Sequence, residues 1–191
     1  MDKLQIEVKL NTEIKDIIQF NGEPVVIATG SKARILNVPG KERMIEACDY
    51  LNGEKVGKTV AVIGGGLTGS EIAYELELKG HNPIIIEMKD DLVAQKGVCL
   101  ANSSYLREYF AYKKVPVYLN TTLKEVKEKS IVVTNEKGEE EIKCDSVISS
   151  VGYIPTPLVE KGKNVHLVGD CLHVGNLRSV IWRAYEVAMK I

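Results

Sequence analysis

The feature that most constrains the fold is a glycine loop set between two short apolar segments. Residues 59–63 (TVAVI) are apolar and β-branched, which is typical of a strand buried on both faces. The loop, residues 64–69 (GGGLTG), follows directly, and residues 71–78 carry apolar positions at helical spacing. A second apolar run, residues 83–86, then ends at Glu87. This order predicts a parallel α/β unit, because consecutive parallel strands need a crossover helix.

The loop has the spacing G-x-G-x-x-G immediately before the predicted helix. Gly64 allows a tight turn, Gly66 lacks a Cβ in the path of a pyrophosphate, and Gly69 lets the helix pack closely on the strand. The helix N-terminus attracts a diphosphate through its N–H groups and its dipole. The loop therefore predicts a dinucleotide site, with a purely structural glycine turn as the alternative. The predicted contact residues are Gly64, Gly65, Gly66, Leu67, Thr68 and Gly69.

Glu87 bears on which nicotinamide nucleotide is bound. It lies 23 residues after Gly64, where a carboxylate meets the adenosine ribose hydroxyls. A carboxylate accepts hydrogen bonds from the 2′-hydroxyl of NADH and repels the 2′-phosphate of NADPH. The sequence therefore predicts NADH over NADPH, a preference that the positive charge of Lys89 softens.

The composition is that of an ordinary globular chain. The 191 residues are 45% apolar and 27% charged, enough for a core without disulfide or metal staples. With 25 basic and 26 acidic residues, the net charge of −1 gives no electrostatic reason to expect nucleic acid or a membrane as partner. A transmembrane run and a signal peptide are both missing from the pattern, so we expect a cytoplasmic protein.

The four cysteines are tens of residues apart and form neither a C-x-x-C pair nor a metal-ligand cluster. We expect four buried, reduced thiols and no metal site. No residue is a candidate general acid, base or nucleophile, so we predict no catalytic residue in this chain. The cysteines are Cys48, Cys99, Cys144 and Cys171.

A short internal repeat links two parts of the chain. Residues 8–17 (VKLNTEIKDI) and 117–126 (VYLNTTLKEV) share five identical residues. Each copy is followed by an apolar segment that ends in glycine, at residues 25–30 and 147–152. Only the second copy has room for a hairpin between the two, at residues 131–143. The matching order favours duplication over chance similarity.

The repeat predicts that the first copy is incomplete. In the second copy, the glycine loop begins 56 residues before Asn120. The first copy has only a short turn at Asn21-Gly22 where the second has its hairpin, and its own glycine loop would lie upstream of Met1. We expect one complete nucleotide-binding unit preceded by the second half of another.

Four motifs in order resemble those of a known family. They are A-T-G, G-G-G-x-x-G-x-E, G-Y-x-P and V-G-D, at residues 28–30, 64–71, 152–155 and 168–170. They resemble the two-dinucleotide-domain flavoprotein reductases. The chain is most similar to the C-terminal FAD/NAD-binding region of NADH:flavin oxidoreductases of the 2-enoate reductase and 2,4-dienoyl-CoA reductase family. The resemblance implies a three-layer α/β, Rossmann-like FAD/NAD(P)-binding fold, with a parallel sheet, helices and an antiparallel hairpin.

The resemblance also implies a domain division. Residues 56–152 would form an NAD(P)H-binding domain. Residues 1–55 and 153–191 would form a partial FAD-type domain whose first glycine motif is missing.

Further site residues follow from the resemblance alone. Gly169 and Asp170 match the pair that binds the ribityl–phosphate portion of FAD, and Glu71 matches a position near the nicotinamide. The helix expected at residues 177–190 would point its N-terminus toward the flavin ring. The remaining matched cofactor positions are Ala28, Thr29, Gly30 and Gly152.

Simpler roles compete with these assignments. Asp170 could cap the final helix, and Thr29-Gly30 could be an ordinary strand-ending turn. Glu71 could instead complement the dipole in the first turn of its helix.

The function implied by the resemblance is that of an NADH-dependent flavoprotein oxidoreductase. A hydride would pass from NADH to FAD for the reduction of an activated alkene, of 2-enoate or dienoyl-CoA type. FMN and an iron–sulfur cluster are implied only for an upstream barrel domain, which would accompany the missing FAD half. Two alternatives stay open: a non-catalytic nucleotide-binding or interaction module, and a small FAD-dependent reductase completed by another subunit. The final electron acceptor and the oligomeric state are left open.

Overall fold

A computed structural model describes residues 2–20, 22–94 and 97–191. The chain divides into two compact units. Unit 1 comprises Met1–Lys32 and Tyr153–Ile191, and unit 2 comprises Ala33–Gly152. Met1 and Asn21, the latter part of the predicted Asn21-Gly22 turn, lie outside the described residues.

The strands of the described residues follow in chain order. They are β1 (Val25–Ile27), β2 (Ser31–Ala33), β3 (Met44–Glu46), β4 (Thr59–Ile63), β5 (Asn82–Ile86), β6 (Val117–Tyr118), β7 (Thr122–Val126), β8 (Ser130–Asn135), β9 (Gly138–Lys143), β10 (Ser146–Ser149), β11 (Tyr153–Pro155) and β12 (Val165–Leu167).

The α-helices are α1 (Ala47–Leu51), α2 (Leu67–Leu78), α3 (Leu100–Lys113) and α4 (Leu177–Ala188). The predicted helices at residues 71–78 and 177–190 are therefore present as α2 and α4, with α2 starting at the glycine loop itself. Among the described helices, none has the length and apolar character that crossing a bilayer requires.

Unit 2 is built on a five-stranded sheet in the order β3-β10-β4-β5-β6, and every neighbouring pair is parallel. The two predicted strands around the glycine loop, β4 and β5, lie side by side at its centre, with Val62 opposite Ile85. Helix α2 makes the crossover between them. The predicted α/β class with a parallel sheet is confirmed.

The alternating side chains of the central strands fill two separate cores. Val60 and Val62 pack with helix residues such as Leu76 and Phe110 on one face. Ala61 and Ile63 pack with residues of a second sheet on the other. Successive side chains of a strand point to opposite faces, so a fully apolar strand indicates two covering layers. The three-layer prediction is confirmed.

The second sheet is antiparallel, in the order β7-β8-β9. Its β8–β9 hairpin confirms the predicted one, and β7 adds a third strand that the sequence did not predict. Ile131, Val133 and Ile142 face the core. The outer strand β9 is mostly exposed and carries three consecutive glutamates at residues 139–141. Charges along an edge strand oppose pairing with another chain.

The packing boundary on the amino side falls after residue 32, whereas the sequence placed it after residue 55. The reason is that β3 pairs in parallel with β10. Ala47 and Tyr50 of α1 are also buried in the helix-side core of unit 2. On the carboxyl side, the units divide between Gly152 and Tyr153. Which cofactor each unit binds stays a prediction.

Unit 1 has a much smaller core. Strand β1 pairs in parallel with β12, and β2 pairs with β11. Its buried cluster consists of Ile27, Leu167 and Cys171. Helix α4 begins with a capping box in which Asn176 and Ser179 exchange side-chain hydrogen bonds with each other's backbone N–H groups.

The cysteine prediction was wrong for two of the four residues. All four are reduced thiols, and Cys144 and Cys171 are buried, but Cys48 and Cys99 are exposed. Cys48 lies on the outer side of α1, and Cys99 is the N-cap residue of α3. Both positions are at the surface because only one side of each helix meets the sheet.

The two copies of the repeat form the same turn. Asn11 and Asn120 have φ angles of 52° and 50°, in the left-handed region that asparagine tolerates. The hydroxyl of the next residue, Thr12 or Thr121, donates a hydrogen bond to the leucine carbonyl two residues back, at 3.0 and 2.8 Å. The sequence match therefore extends to the backbone.

Candidate functional site

The glycine loop packs backbone against backbone. Gly64 has a φ of +101°, and a Cβ added to it would lie 2.4 Å from the Ser150 carbonyl oxygen. A Cβ on Gly69 would lie 1.9 Å from the Gly64 carbonyl oxygen. The close approach expected at Gly69 is present, and no larger residue fits either position without moving the backbone.

The loop leads directly into α2. Gly66 is the N-cap residue, so this helix end has no side-chain cap. The Ser70 side chain is fully buried, and its hydroxyl donates to the Gly65 carbonyl at 3.1 Å, which ties the first turn to the loop. An uncapped helix N-terminus behind a glycine turn suits a diphosphate. The residues present therefore fit the predicted dinucleotide.

Glu87 lies beside this loop at the carboxyl end of β5. It is only 7% exposed. Its Oε2 accepts the Gly65 N–H at 2.6 Å, and its Oε1 accepts the Lys89 N–H at 2.8 Å. An ionised carboxylate has about four lone-pair positions, so two are left for ribose hydroxyls. The structure thus places Glu87 against the glycine loop.

A segment that the sequence did not single out lies over Gly65. Residues 91–93, here called the clamp loop, follow Glu87 and fold back on the glycine loop. Val93 N–H donates to the Gly65 carbonyl at 2.8 Å. A Cβ on Gly65 would lie 2.4 Å from a methyl group of Leu92. Both Leu92 and Val93 are buried.

The clamp loop is strained and held from α3. Val93 has a φ of +50°, which costs about 1–2 kcal/mol for a residue that is not glycine. The Arg107 guanidinium lies 2.8 Å from the Asp91 carboxylate, and its Nε donates to the Leu92 carbonyl at 3.0 Å. A left-handed valine has no signature in sequence, so the sequence does not predict this contact.

Thr68 and Glu71 are brought together on the exposed side of α2, where they line a cleft with Leu51, Ile72 and Glu75. Glu71 is the fifth residue of α2, and the first turn contains no acid, so the dipole alternative for Glu71 does not hold. In the part of the chain that the structure describes, its carboxylate forms no hydrogen bond or ion pair.

The second acid of this cleft is paired. Glu75 lies 2.7 Å from the Lys79 ammonium group in an i,i+4 ion pair. A hydrogen bond from Lys79 lowers the pKa of Glu75 below its usual range. Glu71 is therefore the acid of the cleft whose charge is not balanced by a neighbouring lysine.

The predicted residues at the end of β1 form a bonded turn. The Thr29 hydroxyl donates to the Thr156 carbonyl at 2.6 Å. Thr156 in turn donates its N–H and its hydroxyl to the Gly30 carbonyl, both at 3.1 Å. Ala28 and Thr29 are exposed.

In unit 2, the Gly152 carbonyl accepts the Arg34 N–H at 2.9 Å.

Gly169 and Asp170 lie in a short 3₁₀ turn directly after β12 and before α4. Asp170 does not cap α4, because Asn176 holds that role. Instead, its Oδ1 accepts the Gly175 N–H at 3.1 Å, and its Oδ2 lies 3.5 Å from the Ser31 hydroxyl. The capping alternative for Asp170 is therefore wrong.

Over residues 2–20, 22–94 and 97–191, no group of three or more His, Cys, Asp or Glu side chains is placed to hold a metal ion.

Comparison with known proteins identifies relatives of the whole chain. Cinnamate reductase of Clostridium sporogenes is 33% identical over 197 aligned residues, covering 98% of this chain and 30% of that protein. Bilirubin reductase of Mediterraneibacter gnavus is 28% identical, covering 90% of this chain and 28% of that protein. The chain thus spans about 30% of the length of these relatives.

Solved structures of two reductases have a similar fold. 2-Naphthoyl-CoA reductase, in complex with 2-naphthoyl-CoA, superposes with a TM-score of 0.80 at 26% identity, covering all of this chain and 30% of that one. Thioredoxin reductase of T. acidophilum shares the fold, with a TM-score of 0.66 at 21% identity over 86% of this chain and 63% of that one.

A family model described as pyridine nucleotide-disulphide oxidoreductase matches residues 1–170. Together with the relatives named cinnamate reductase and 2-naphthoyl-CoA reductase, this match confirms the resemblance drawn from the motifs. The chain belongs to the pyridine nucleotide-disulphide oxidoreductase family, a family of flavoprotein oxidoreductases that bind FAD and NAD(P)H.

Proposed function

We propose that this chain is the NADH-binding portion of a flavin-dependent oxidoreductase that reduces an activated alkene of 2-enoate or dienoyl-CoA type. The observation that carries the proposal is the glycine loop at the carboxyl end of β4 with the Glu87 carboxylate beside it. The names of two relatives support the substrate class, because they specify cinnamate and 2-naphthoyl-CoA.

Unit 2 would bind NADH along residues 64–69. The uncapped N-terminus of α2 would hold the diphosphate, and the free lone pairs of Glu87 would accept the ribose hydroxyls. Glu71, on the open cleft beside Thr68, would lie toward the nicotinamide. When bound, NADH supplies a hydride and FAD accepts it, while the protein contributes orientation and electrostatics.

The preference for NADH would come from Glu87. Its carboxylate is buried and held by two backbone N–H groups, so it cannot swing away from an incoming 2′-phosphate. Such a phosphate would place roughly two further negative charges next to the Glu87 carboxylate. The Lys89 side chain is exposed, which limits how far its charge can offset this repulsion.

Titration of NADH and NADPH, followed by nicotinamide fluorescence, tests this site. We expect tighter binding of NADH by the unsubstituted chain. Glu87→Ala should raise the Kd for NADH about tenfold or more, since it removes hydrogen bonds to a charged acceptor, and should leave the Kd for NADPH unchanged or lower. Glu136→Ala, an exposed acid in the β8–β9 turn, is the matched control. Equal affinity of the unsubstituted chain for the two nucleotides would contradict the proposal.

Unit 1 would contribute part of an FAD site. Residues 28–30 follow strand β1, and Gly169 and Asp170 follow the neighbouring strand β12. The carboxyl ends of parallel strands are where nucleotides bind in such folds. Asp170 would accept a hydrogen bond from a ribityl hydroxyl.

Gly152, the last residue of unit 2, is the remaining residue proposed to contact the cofactors.

The repeat supports an FAD half that the described residues do not include. In unit 2, the N–H groups of Asn120 and Thr121 donate to the carbonyls of Lys89 and Glu87, both at 2.9 Å. The matching turn at Asn11 in unit 1 is exposed and makes only local bonds. We propose that it docks in the same way on a strand and an acid supplied by the FAD half. FMN and an iron–sulfur cluster in an upstream barrel remain implied by the resemblance alone.

Two observations test this incompleteness. The chain expressed alone should bind NADH and purify colourless, whereas copurification with stoichiometric FAD would contradict a missing half. The reading frame upstream of Met1 should encode the FAD half and the barrel. An in-frame stop codon directly upstream would contradict it.

A further inference from the structure

The clamp loop, residues 91–93, is not among the residues proposed to contact NADH, yet it contacts both α3 and the glycine loop. Arg107 reaches it from α3 with a side chain that is 31% exposed. Its Nη2 lies 2.8 Å from the Asp91 carboxylate and 2.5 Å from the Leu92 carbonyl oxygen, to which it donates. One guanidinium thus holds a side chain and the backbone of the same loop, a two-point contact that fixes orientation as well as distance.

The clamp loop in turn fixes Gly65. Its Val93 N–H donates to the Gly65 carbonyl at 2.8 Å, and the Leu92 side chain fills the space that a Cβ on Gly65 would occupy. The Ser70 hydroxyl donates to the same carbonyl at 3.1 Å. The peptide that carries Gly65 is therefore held from two sides.

Gly65 is also the residue that orients Glu87. Its N–H donates to Glu87 Oε2 at 2.6 Å. The contacts run without a gap from Arg107 through the clamp loop and Gly65 to the carboxylate proposed to bind the adenosine ribose. The strained φ of Val93 shows that the surrounding contacts hold the loop in a conformation that it would not adopt alone.

We propose that Arg107 is a positioning residue for the adenosine-ribose end of the nucleotide site. The inference rests on the proposed NADH site and adds a residue that acts on Glu87 through the clamp loop and Gly65. Arg107 keeps the clamp loop on Gly65 and so keeps the Glu87 carboxylate aimed at the ribose. The clamp loop bonds to Gly65 near the start of the glycine loop, whereas Thr68 and Glu71 line the cleft on α2, so loss of Arg107 should weaken the adenosine end and spare the nicotinamide end.

The test compares the two halves of the nucleotide. Arg107→Met removes the charge and the donors but keeps an apolar stem, and Arg107→Lys restores the charge alone. Arg107→Met should raise the Kd for NADH and for ADP-ribose about tenfold, with the Kd for reduced nicotinamide mononucleotide within about twofold of the unsubstituted chain. Arg107→Lys should lie between the two. Lys113→Met is the matched control. It removes a different ion pair made by α3, the one between Lys113 and Glu77 of α2, and should change none of these constants.

An ADP-ribose Kd within about twofold of the unsubstituted chain in Arg107→Met overturns the positioning role, as does equal weakening of both halves. If Arg107→Met does not fold, by circular dichroism, Asp91→Asn removes the ion pair alone and should still weaken ADP-ribose selectively. Failure of the unsubstituted chain to bind NADH overturns the proposed function together with this inference. NADH binding that is lost in Glu87→Ala but unchanged in Arg107→Met overturns the inference alone.

Discussion

The Leu-Asn-Thr turn occurs once in each unit, with the same backbone and the same hydroxyl bond, yet its two copies differ completely in burial. Thr121 is 2% exposed, and the turn that contains it is docked on the backbone after β5. Thr12 is exposed, and the apolar residues Val8 and Leu10 before it are 51% and 78% exposed. The turn is therefore a local property of the sequence, whereas its burial depends on a neighbouring strand.

The two units differ in the same way as the two turns. Unit 2 has a core on each face of its sheet, whereas the described residues of unit 1 form one small cluster around Ile27, Leu167 and Cys171. Burial of apolar surface is the main favourable contribution to folding. The comparison therefore predicts that equivalent changes cost more in unit 2 than in unit 1.

The largest difference in the cost of a substitution should appear between two glycines that each follow a strand, Gly64 after β4 and Gly30 after β1. Gly64→Ala in unit 2 adds a clash with the Ser150 carbonyl to a left-handed backbone and should lower the free energy of unfolding by more than about 3 kcal/mol. Gly30→Ala in unit 1 has the left-handed backbone, with φ at +75°, but open space around the new methyl group, and should cost about 1 kcal/mol. Urea unfolding followed by far-ultraviolet circular dichroism measures both. Equal losses of unfolding free energy in the two variants would contradict the expected difference between unit 2 and unit 1.

A smaller difference should appear within the repeat itself. Thr121→Val leaves the Leu119 carbonyl without its hydroxyl donor at a buried position and should lower the free energy of unfolding by about 1–2 kcal/mol. Thr12→Val removes the same bond at an exposed position, where water replaces it, and should change stability by less than about 0.5 kcal/mol. The same urea experiment gives both values. A loss in Thr12→Val as large as in Thr121→Val would mean that the first copy is buried in solution.

The mildest test changes no residue and compares two buried thiols. Cys171 lies in the small core of unit 1, and its Sγ contacts the Ile27 and Val168 carbonyls. Cys144 lies in the larger core of unit 2. Local opening exposes weakly packed regions first, so iodoacetamide at pH 8 should modify Cys171 about fivefold faster than Cys144, as measured by mass spectrometry. Exposed Cys99 serves as the fast reference, and slower modification of Cys171 than of Cys144 would reverse the order of stability.

The pH dependence of Cys144 adds a check on its burial. Burial raises the pKa of its thiol from the ordinary 9.0 to about 11. Because the folded state favours the protonated thiol, this contribution to stability is fully present below pH 9 and is lost as the pH rises toward 11. Cys144→Ala should flatten the loss of stability over that range, measured by urea unfolding at pH 8 and pH 10.5.

Much of the glycine-loop region could be predicted because its signals are local. The apolar run before the loop, the spacing of the glycines and the acid after the second strand each restrict a few neighbouring residues. Glu87 lies against Gly65 in the structure because adjacent parallel strands end at the same sheet edge. The assignment of cofactors to these residues remains a proposal.

What could not be predicted depends on contacts between distant residues. Strand β3 belongs to unit 2 because it pairs with β10, and no local pattern announces that pairing. Asn176 and not Asp170 caps α4, since both residues suit a helix start and only the position of the 3₁₀ turn separates them.

The linear chain alone therefore specifies the glycine loop, the helix behind it, the Leu-Asn-Thr turn and the family, since each depends on residues within a few positions of one another or on motifs in order. Folding adds the clamp loop over Gly65, with its left-handed valine, and the guanidinium of Arg107 that holds it. Such contacts arise only when a helix and a loop that are separate in sequence pack together. They determine how firmly the carboxylate of Glu87 is oriented.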